Sequence, residues 1–358
     1  MKTTVSGRTP VNVAFAGLGR AVFKDHAPVF ATHRDKFHVI AACDLMKDRR
    51  DAISEVFPDC RMFRRLDDMF DERDIELVVV ATRTNDHEKH ASQALSRGFW
   101  TAVESPLATT VESAQRICGI CTDAASRLIP VQRGLFEPEF LAAQAALRDG
   151  RLGEVHHVTA KKFDYWRRND WQTIASQGGG AVFYAMPDLA LQVVKLLNSK
   201  PCQMWSELMR ISSWGDAEDF VHLRLRTASR AIGVAEFDGS ALDNGRVAAI
   251  VLRGERGLFA AKHGGRSGTL CAIEPSFQFP KRRASIKSPH LGNLRDQFPI
   301  VNDTISIPDG TPAGCEALWL AVYDTIRKAV PFPVRVDEAI ETIRLAQLMR
   351  KSANPFGS

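Results

Sequence analysis

The sequence predicts a two-part α/β protein: an N-terminal domain built on a parallel sheet, then a C-terminal α+β domain with a large, mostly antiparallel sheet. Three observations carry this. The apolar run Val11-Asn-Val-Ala-Phe-Ala16 turns through Gly17-Leu18-Gly19 into a helical stretch. Short apolar runs then alternate with helical patterns as far as Val103, the rhythm of βαβ units. Beyond Glu154 the chain becomes a succession of strand-like runs interrupted by one helix.

The glycine turn carries a chemical meaning. The first glycine permits a tight turn after the strand, and the second lets backbone approach a pyrophosphate, whose charge then rests on the helix N-terminus. Gly17, Leu18, Gly19, Arg20 and Ala21 are the candidate cofactor turn, with Val22 standing where a third glycine is usual. A glycine pattern needs a strand before it, a helix after it and an acidic residue about 20 residues on. The helix is expected from Gly19 to about Phe30, and the strand Phe37–Cys43 ends on Asp44. A carboxylate there accepts hydrogen bonds from ribose hydroxyls and repels a 2′-phosphate, which favours NAD. Lys47 and Arg49 leave NADP open, and Asp44 also suits the N-cap of a helix from Leu45 to Phe57. These features describe a Rossmann dinucleotide-binding domain.

Length and composition set the limits. A chain of 358 residues exceeds what one core organises, and we expect a dinucleotide-binding domain at 1–133 and a substrate and dimerisation domain at 134–335. A final helix at 336–358 is expected to pack back near the first domain. With 45% hydrophobic and 25% charged residues, and no apolar run near the roughly 20 residues of a membrane span, no membrane partner is expected. The opening residues lack a secretory core, so a cytoplasmic location is expected. A formal charge of +5 without a localised patch argues against nucleic acid. Cys118-Gly-Ile-Cys121 has redox or metal spacing, but it lies in a helical pattern, Val111 to Ala125, without a second pair; it reads as packing, and no metal site is expected.

Further along, Arg61–Phe63 reads as a short strand, a helical stretch holds Leu66, Met69 and Phe70, and Ile75–Ala81 is a buried strand. In an open α/β sheet the ligand lies beyond the carboxyl ends of the strands. Thr82, Arg83 and His87 after this strand, and Glu104 and Ser105 after the next (Trp100–Val103), are therefore candidates for the nicotinamide end, although a lone His87 also suits a capping or structural role. Helix His87 to Arg97 closes at Gly98.

The run Val103-Glu-Ser-Pro-Leu-Ala-Thr-Thr-Val-Glu-Ser-Ala114 resembles the Glu-Lys-Pro segment of the glucose-fructose oxidoreductase and inositol dehydrogenase family, Gfo/Idh/MocA. Ala81-Thr82 with His87, Phe136-Glu-Pro138 followed by Leu147-Arg-Asp-Gly150-Arg-Leu-Gly153-Glu-Val155, and Trp171 before Gly178-Gly-Gly-Ala181 match in order and at family spacing. The resemblance covers nearly the whole chain. It implies NAD(P)-dependent hydride transfer at a hydroxyl carbon of a sugar, cyclitol or glycoside.

The polar positions depart from the family. Its Glu-Lys-Pro lysine, which contacts nicotinamide and substrate, is matched by Ser105, and its aspartate and catalytic histidine after the glycines are matched by Tyr184 and Asp188. Its arginine before Phe-Asp-Pro becomes Leu135 and that after Trp171 becomes Gln172. One helix from Ala181 to Leu197 would set Tyr184 and Asp188 a turn apart on one face. Asp188 is then the candidate base, with Tyr184 polarising the substrate oxygen or relaying its proton and Ser105 beside them. Packing and ion-pair roles for Tyr184 and Asp188 stand beside this reading. Arg133, Trp166, Trp171, Gln172, Tyr184 and Asp188 are the candidate substrate contacts, and Arg133 and Arg83 are new cations that could replace the missing lysine. The alternative is a non-catalytic NAD(P)-binding regulator or sensor.

In the second domain Glu154–Tyr165 alternates as a strand, followed by strand-like runs Met204–Ser212, Phe220–Thr227, Ala231–Phe237, Val247–Arg253 and Gly257–Ala261. In the resembling family one open face of such a sheet pairs chains, which implies a homo-oligomer, dimer or tetramer, through Ile232, Val234, Ala249 and Val251. From Gly264 to Asp309 the pattern weakens into a long loop with the basic run Pro280-Lys-Arg-Arg283 and Lys287. Helices Gly314–Lys328 and Val336–Ser352 finish the chain.

Overall fold

The computed structural model describes residues 10–120, 127–243, 245–279 and 298–352. The first residues, Cys121, the basic run Pro280 to Arg283 and Lys287 lie outside the described residues.

Six parallel strands form the first sheet: β1 (Val11–Ala16), β2 (Phe37–Cys43), β3 (Arg61–Phe63), β4 (Leu77–Val80), β5 (Trp100–Glu104) and β6 (Leu128–Val131). Their order is β3-β2-β1-β4-β5-β6, so the strand order reverses between β1 and β4, where a ligand crevice opens in such sheets. Because successive side chains alternate faces, β1 sends Val13 and Phe15 into one core and Ala14 and Ala16 into another. The first core continues into the second domain, and the second is closed by Ala339 and Ile343 of helix Val336–Ser352. Helix Gly314–Lys328 also lies on this domain, with Trp319 edge-on to Phe30 and Phe37. The return to the first sheet thus comes one helix earlier than the sequence suggests.

The second sheet has eight strands, ordered β14-β13-β12-β11-β7-β10-β9-β8. They are β7 (Val155–Phe163), β8 (Pro201–Met209), β9 (Phe220–Thr227), β10 (Ile232–Asp238), β11 (Ala248–Gly254), β12 (Gly257–Lys262), β13 (Ser267–Ile273) and β14 (Ile300–Ser306). All neighbours run antiparallel except β7 and β10. Helices Pro138–Asp149 and Met186–Leu197 cover one face. The other is open along His157, Thr159, Lys161, His222, Val234 and Val251. A bulge between Ala248 and Ile250 puts Ala248 on that face and buries Ala249, against expectation.

Three further expectations are corrected. The stretch 264–309 is not a structureless loop throughout: β13 and β14 pair at the sheet edge. Their pattern is weak because β13 turns only Gly268, Leu270 and Ala272 inward. The helix expected over Ala181–Leu197 is two, Ala181–Tyr184 and Met186–Leu197, since Pro187 has no N–H for the carbonyl four residues back. By length and composition Ala175–Leu197 is apolar enough to cross a membrane, which the sequence reading overlooked; in the fold it is mostly buried core.

Candidate functional site

A cleft of about 700 Å³ opens beyond β1, β4 and β5 and reaches Tyr184 and Asp188 of the second domain. Its first wall is backbone. Gly17 ends β1 at φ +89°, where a side chain is strained, and a Cβ there would stand 2.8 Å from Thr82 Cγ2 and 2.9 Å from the Ala81 carbonyl oxygen. At Gly19 the same atom would meet only the Ala81 oxygen at 3.5 Å, so the protein leaves the space before Gly19 free for a ligand. The chain is helical from Arg20 to Thr32, but Val22–His26 forms a π-turn, an irregularity that the glycine pattern does not signal.

Asp44 holds this turn in place. Its Oδ2 accepts the Leu18 N–H at 2.8 Å and its Oδ1 the Met46 N–H at 2.8 Å, with Arg49 Nη1 3.4 Å away. The following helix begins at Lys47 with Met46 before it, so Asp44 does not cap it as expected. The carboxylate keeps lone pairs for ribose hydroxyls while fixing the turn to the end of β2.

At the nicotinamide end, Thr82, Arg83, Glu104 and Ser105 line the cleft. Thr82 Oγ1 lies 3.0 Å from His90 Nδ1. His87 is 1% exposed, with Nδ1 2.9 Å from the Pro106 carbonyl oxygen and Nε2 3.2 Å from that of Thr82; burial holds its pKa below the usual value. A neutral imidazole carries one N–H and donates to only one of these carbonyls at a time, so His87, which also lines the cleft, lies between two loops and holds one of them. Glu104 Oε2 accepts the Ser105 N–H at 3.2 Å, whereas Ser105 Oγ is buried without a partner among the described residues. That orphaned hydroxyl, the free space at Gly19 and the Asp44 carboxylate together fit a bound dinucleotide.

The substrate end is assembled from distant segments. Arg133 starts a short 3-10 turn after β6; its Nη1 is 2.8 Å from Asp25 Oδ1. Burial alone would lower its pKa, but Glu104, Asp25 and Asp188 reverse this and hold it firmly charged. A Cβ on Gly134 would stand 2.8 Å from Asp188 Cβ, so glycine there brings helix Met186–Leu197 up to the Arg133 turn. Gln192 Nε2 donates to the Gly134 carbonyl at 2.7 Å and fixes that approach. Asp188 Oδ1 is buried without a partner among the described residues, and burial, despite Arg133, raises its pKa.

Tyr184 does not pair with Asp188. Its hydroxyl accepts from Lys162 Nζ at 3.4 Å, and its ring stacks on Trp166 at 4.5 Å and 21°. Burial alone would raise the Tyr184 pKa, but Lys162 and then Arg20 outweigh it and lower it. Trp166 is corrected as a substrate contact: it backs Tyr184 and Phe237 and does not line the cleft. Trp171 and Gln172 do line it, and the Gln172 carbonyl accepts the Gly180 N–H at 2.8 Å, docking the glycine run.

The sequence reading missed three residues. His26, fully buried in the π-turn, faces Glu104 Oε1 with Nε2 at 2.6 Å. Its Nδ1 accepts the Trp319 indole N–H at 3.2 Å, and since that indole only donates, the ring proton sits on Nε2, the nitrogen beside Glu104. Asp25 beside it carries Arg133, and Lys162 partners Tyr184. A lone histidine in a helical stretch carries no signal of this role, whereas Lys162 sat in an alternating strand that could have flagged it. Among the described residues no group of His, Cys, Asp or Glu could hold a metal ion.

Comparisons with known proteins agree with this architecture. The model of an oxidoreductase family with an NAD-binding Rossmann fold matches residues 11–131, and that of the GFO/IDH/MocA C-terminal domain matches 140–260. The chain is similar to the uncharacterized oxidoreductase YdgJ of Escherichia coli, 23% identical over 96% of each chain. It is also similar to an inositol 2-dehydrogenase of Rhizobium meliloti, 26% identical over 61% of this chain and 66% of that one. Against two uncharacterized oxidoreductases, of Schizosaccharomyces pombe and E. coli, it spans about half their length, 52% and 45%. In fold it resembles the WlbA dehydrogenase of Bordetella pertussis, solved with NADH and UDP-GlcNAcA, at a TM-score of 0.76, with 18% identity over 98% and 96% of the chains. With both domain models matched across more than half its length and a cleft that fits the dinucleotide, the chain belongs to the Gfo/Idh/MocA oxidoreductase family, with an NAD-binding Rossmann domain.

Proposed function

We propose that the chain moves a hydride to or from a hydroxyl-bearing carbon of a sugar, cyclitol or glycoside, with Asp188 as the proton acceptor. The observation that carries this is the Asp188 Oδ1 atom, buried at the cleft with no hydrogen-bond partner among the described residues. When bound, the nicotinamide supplies the hydride chemistry. The protein must then handle the hydroxyl proton, because a carbinol cannot lose hydride without losing it. Burial raises the Asp188 pKa, which makes the carboxylate a stronger base than a solvated one. Arg133, which does not deprotonate, supplies the fixed positive charge absent at Ser105 and stabilises a developing alkoxide. Tyr184, held against Lys162, donates a hydrogen bond to the same oxygen. Ser105 Oγ remains for a hydrogen bond to the cofactor, Trp171 offers an aromatic wall to a sugar ring, and Arg83 adds charge at the mouth. A similar inositol 2-dehydrogenase and a structural neighbour solved with a nucleotide sugar support a polyhydroxy substrate.

The test is nicotinamide absorbance at neutral pH with a panel of sugars, cyclitols and glycosides, run on the wild type and on Asp188→Asn. Turnover lost in the variant while NADH affinity persists supports the proposal. No turnover by the wild type on any member, with NADH binding intact, sinks it in favour of a non-catalytic sensor. The open sheet face along His157, Thr159, Val234 and Val251 is proposed to pair chains as dimers or tetramers, which light scattering would report.

A further inference from the structure

We infer that Arg350, near the end of helix Val336–Ser352, is a positioning residue that holds the substrate wall of the cleft, and Tyr184 with it, against the cofactor wall. The helix itself is anchored on the first domain. Ala339 and Ile343 close its second core, the Gln132 side-chain amide donates to Thr342 Oγ1 at 3.1 Å between two buried residues, and the Val111 N–H donates to Gln347 Oε1 at 3.1 Å. Its last turn then reaches the second domain. Arg350 Nη2 donates to the Gly179 carbonyl and, at 3.0 Å, to Glu218 Oε1, and the guanidinium lies over the Phe183 ring at 4.4 Å. Glu218 in turn accepts at the start of the short helix that carries Tyr184: its carbonyl takes the Ala181 N–H at 2.8 Å and its Oε1 the Val182 N–H at 3.1 Å. Gly180 makes room for this pair, since a Cβ there would stand 2.8 Å from Arg350 Nη2 and would be strained at φ +105°.

Gly179, Gly180, Phe183 and Tyr184 all line the cleft, whereas Arg350 does not. It therefore acts only through them. Hydride transfer needs the reacting atoms roughly 3–3.5 Å apart, and the two walls that set this separation come from different domains. Charge-assisted hydrogen bonds and a cation–π contact, made by one side chain anchored on the opposite domain, restrict how far the glycine run and Tyr184 can drift. Lys195 Nζ, 2.6 Å from Glu338 Oε1, ties the helix carrying Asp188 to the same support. The inference deepens the hydride-transfer reading and rests on it for its kinetic consequence alone.

The experiment measures hydrogen exchange by mass spectrometry, NADH affinity and kcat for the full chain as wild type, Arg350→Ala, Arg350→Lys, Tyr184→Phe and the double variant Tyr184→Phe/Arg350→Ala. In Arg350→Ala, exchange over residues 171–184 is expected to quicken by about tenfold, the loss of one charge-assisted hydrogen bond, while exchange over 11–22 and NADH affinity change by less than about threefold. The kcat should fall by about ten- to a hundredfold. Because that loss runs through Tyr184, the loss in the double variant should fall short of the product of the two single losses by about threefold or more. Arg350→Lys, which keeps the charge beside Glu218, should lie between wild type and Arg350→Ala, and it carries the test if thermal unfolding finds the alanine variant unfolded. Unchanged exchange over 171–184, unchanged kcat, single losses that multiply, or NADH affinity lost in step with kcat each overturn the inference. A wild type without turnover sinks the hydride-transfer reading instead, and the exchange measurement then decides whether Arg350 holds the wall.

Discussion

The adenosine and substrate ends of the cleft are built by different means. At the adenosine end, two adjacent strands finish side by side, and main-chain groups do most of the work: the Gly17 N–H donates to the Cys43 carbonyl at 2.9 Å, and the Leu18 N–H to Asp44. At the substrate end, Ser105 after β5 and Arg133, Lys162, Tyr184 and Asp188 from four further elements are brought together mainly by side chains. A backbone site keeps its form as long as the turn does, so it tolerates changes in neighbouring side chains. A side-chain site can be rewritten residue by residue without disturbing the fold. On the proposed reading, Ser105, Tyr184 and Asp188 stand where the resemblance implies a lysine, an aspartate and a histidine, while the sheets and the glycine turn are in place.

The sharpest test of that division is Asp188→Asn, which should lower turnover by about 10²- to 10⁴-fold, the contribution of a positioned base, and leave NADH affinity unchanged. The same change should stabilise the protein. The folded-state pKa of Asp188 lies above its unfolded value, so the native state binds the proton more tightly, and stability falls as pH rises from the unfolded value through the folded one. At neutral pH asparagine removes that cost, and a rise in Tm with loss of turnover is expected; a fall in Tm would contradict a carboxylate disfavoured by its burial.

Tyr184→Phe removes one hydroxyl and its contact with Lys162, and should reduce kcat by about ten- to a hundredfold, the range for one charge-assisted hydrogen bond. In wild-type protein, kcat/KM for oxidation should increase with pH through the raised Asp188 pKa; a profile flat across the acid range would remove Asp188 as base.

Gly17→Ala addresses the backbone end. It forces a side chain into φ +89° and against Thr82, and should cost about 1–2 kcal/mol in urea unfolding together with weaker NADH binding. Equal loss of turnover and affinity would mark it as a cofactor defect, in contrast to Asp188→Asn. The smallest effect is expected from Trp319→Phe, which leaves His26 Nδ1 without its donor. It should cost about 1 kcal/mol of stability, with a modest change in KM because His26 only positions Glu104.

Local patterns predicted much of the fold. The runs Phe37–Cys43 and Phe220–Thr227 and the helix Val336–Ser352 lie where periodicity places them, because burial of one face imposes a period that short stretches record. Element ends are less legible: the strand expected over Ile75–Ala81 is Leu77–Val80. The strands Ser267–Ile273 and Ile300–Ser306 escape notice because an edge strand with small inward residues has little hydrophobic contrast.

For the site, the sequence by itself determined the glycine turn and the acidic end of β2, since each depends on residues close in the chain. Only the tertiary structure decided that Trp166 stands behind Tyr184, that Lys162 and not Asp188 meets its hydroxyl, that His87 lies between two carbonyls, and that a π-turn delivers Asp25 and His26 to Arg133 and Glu104. Those contacts join segments far apart in sequence. Which side chains meet there follows from how two sheets and their helices pack, and no local period encodes it.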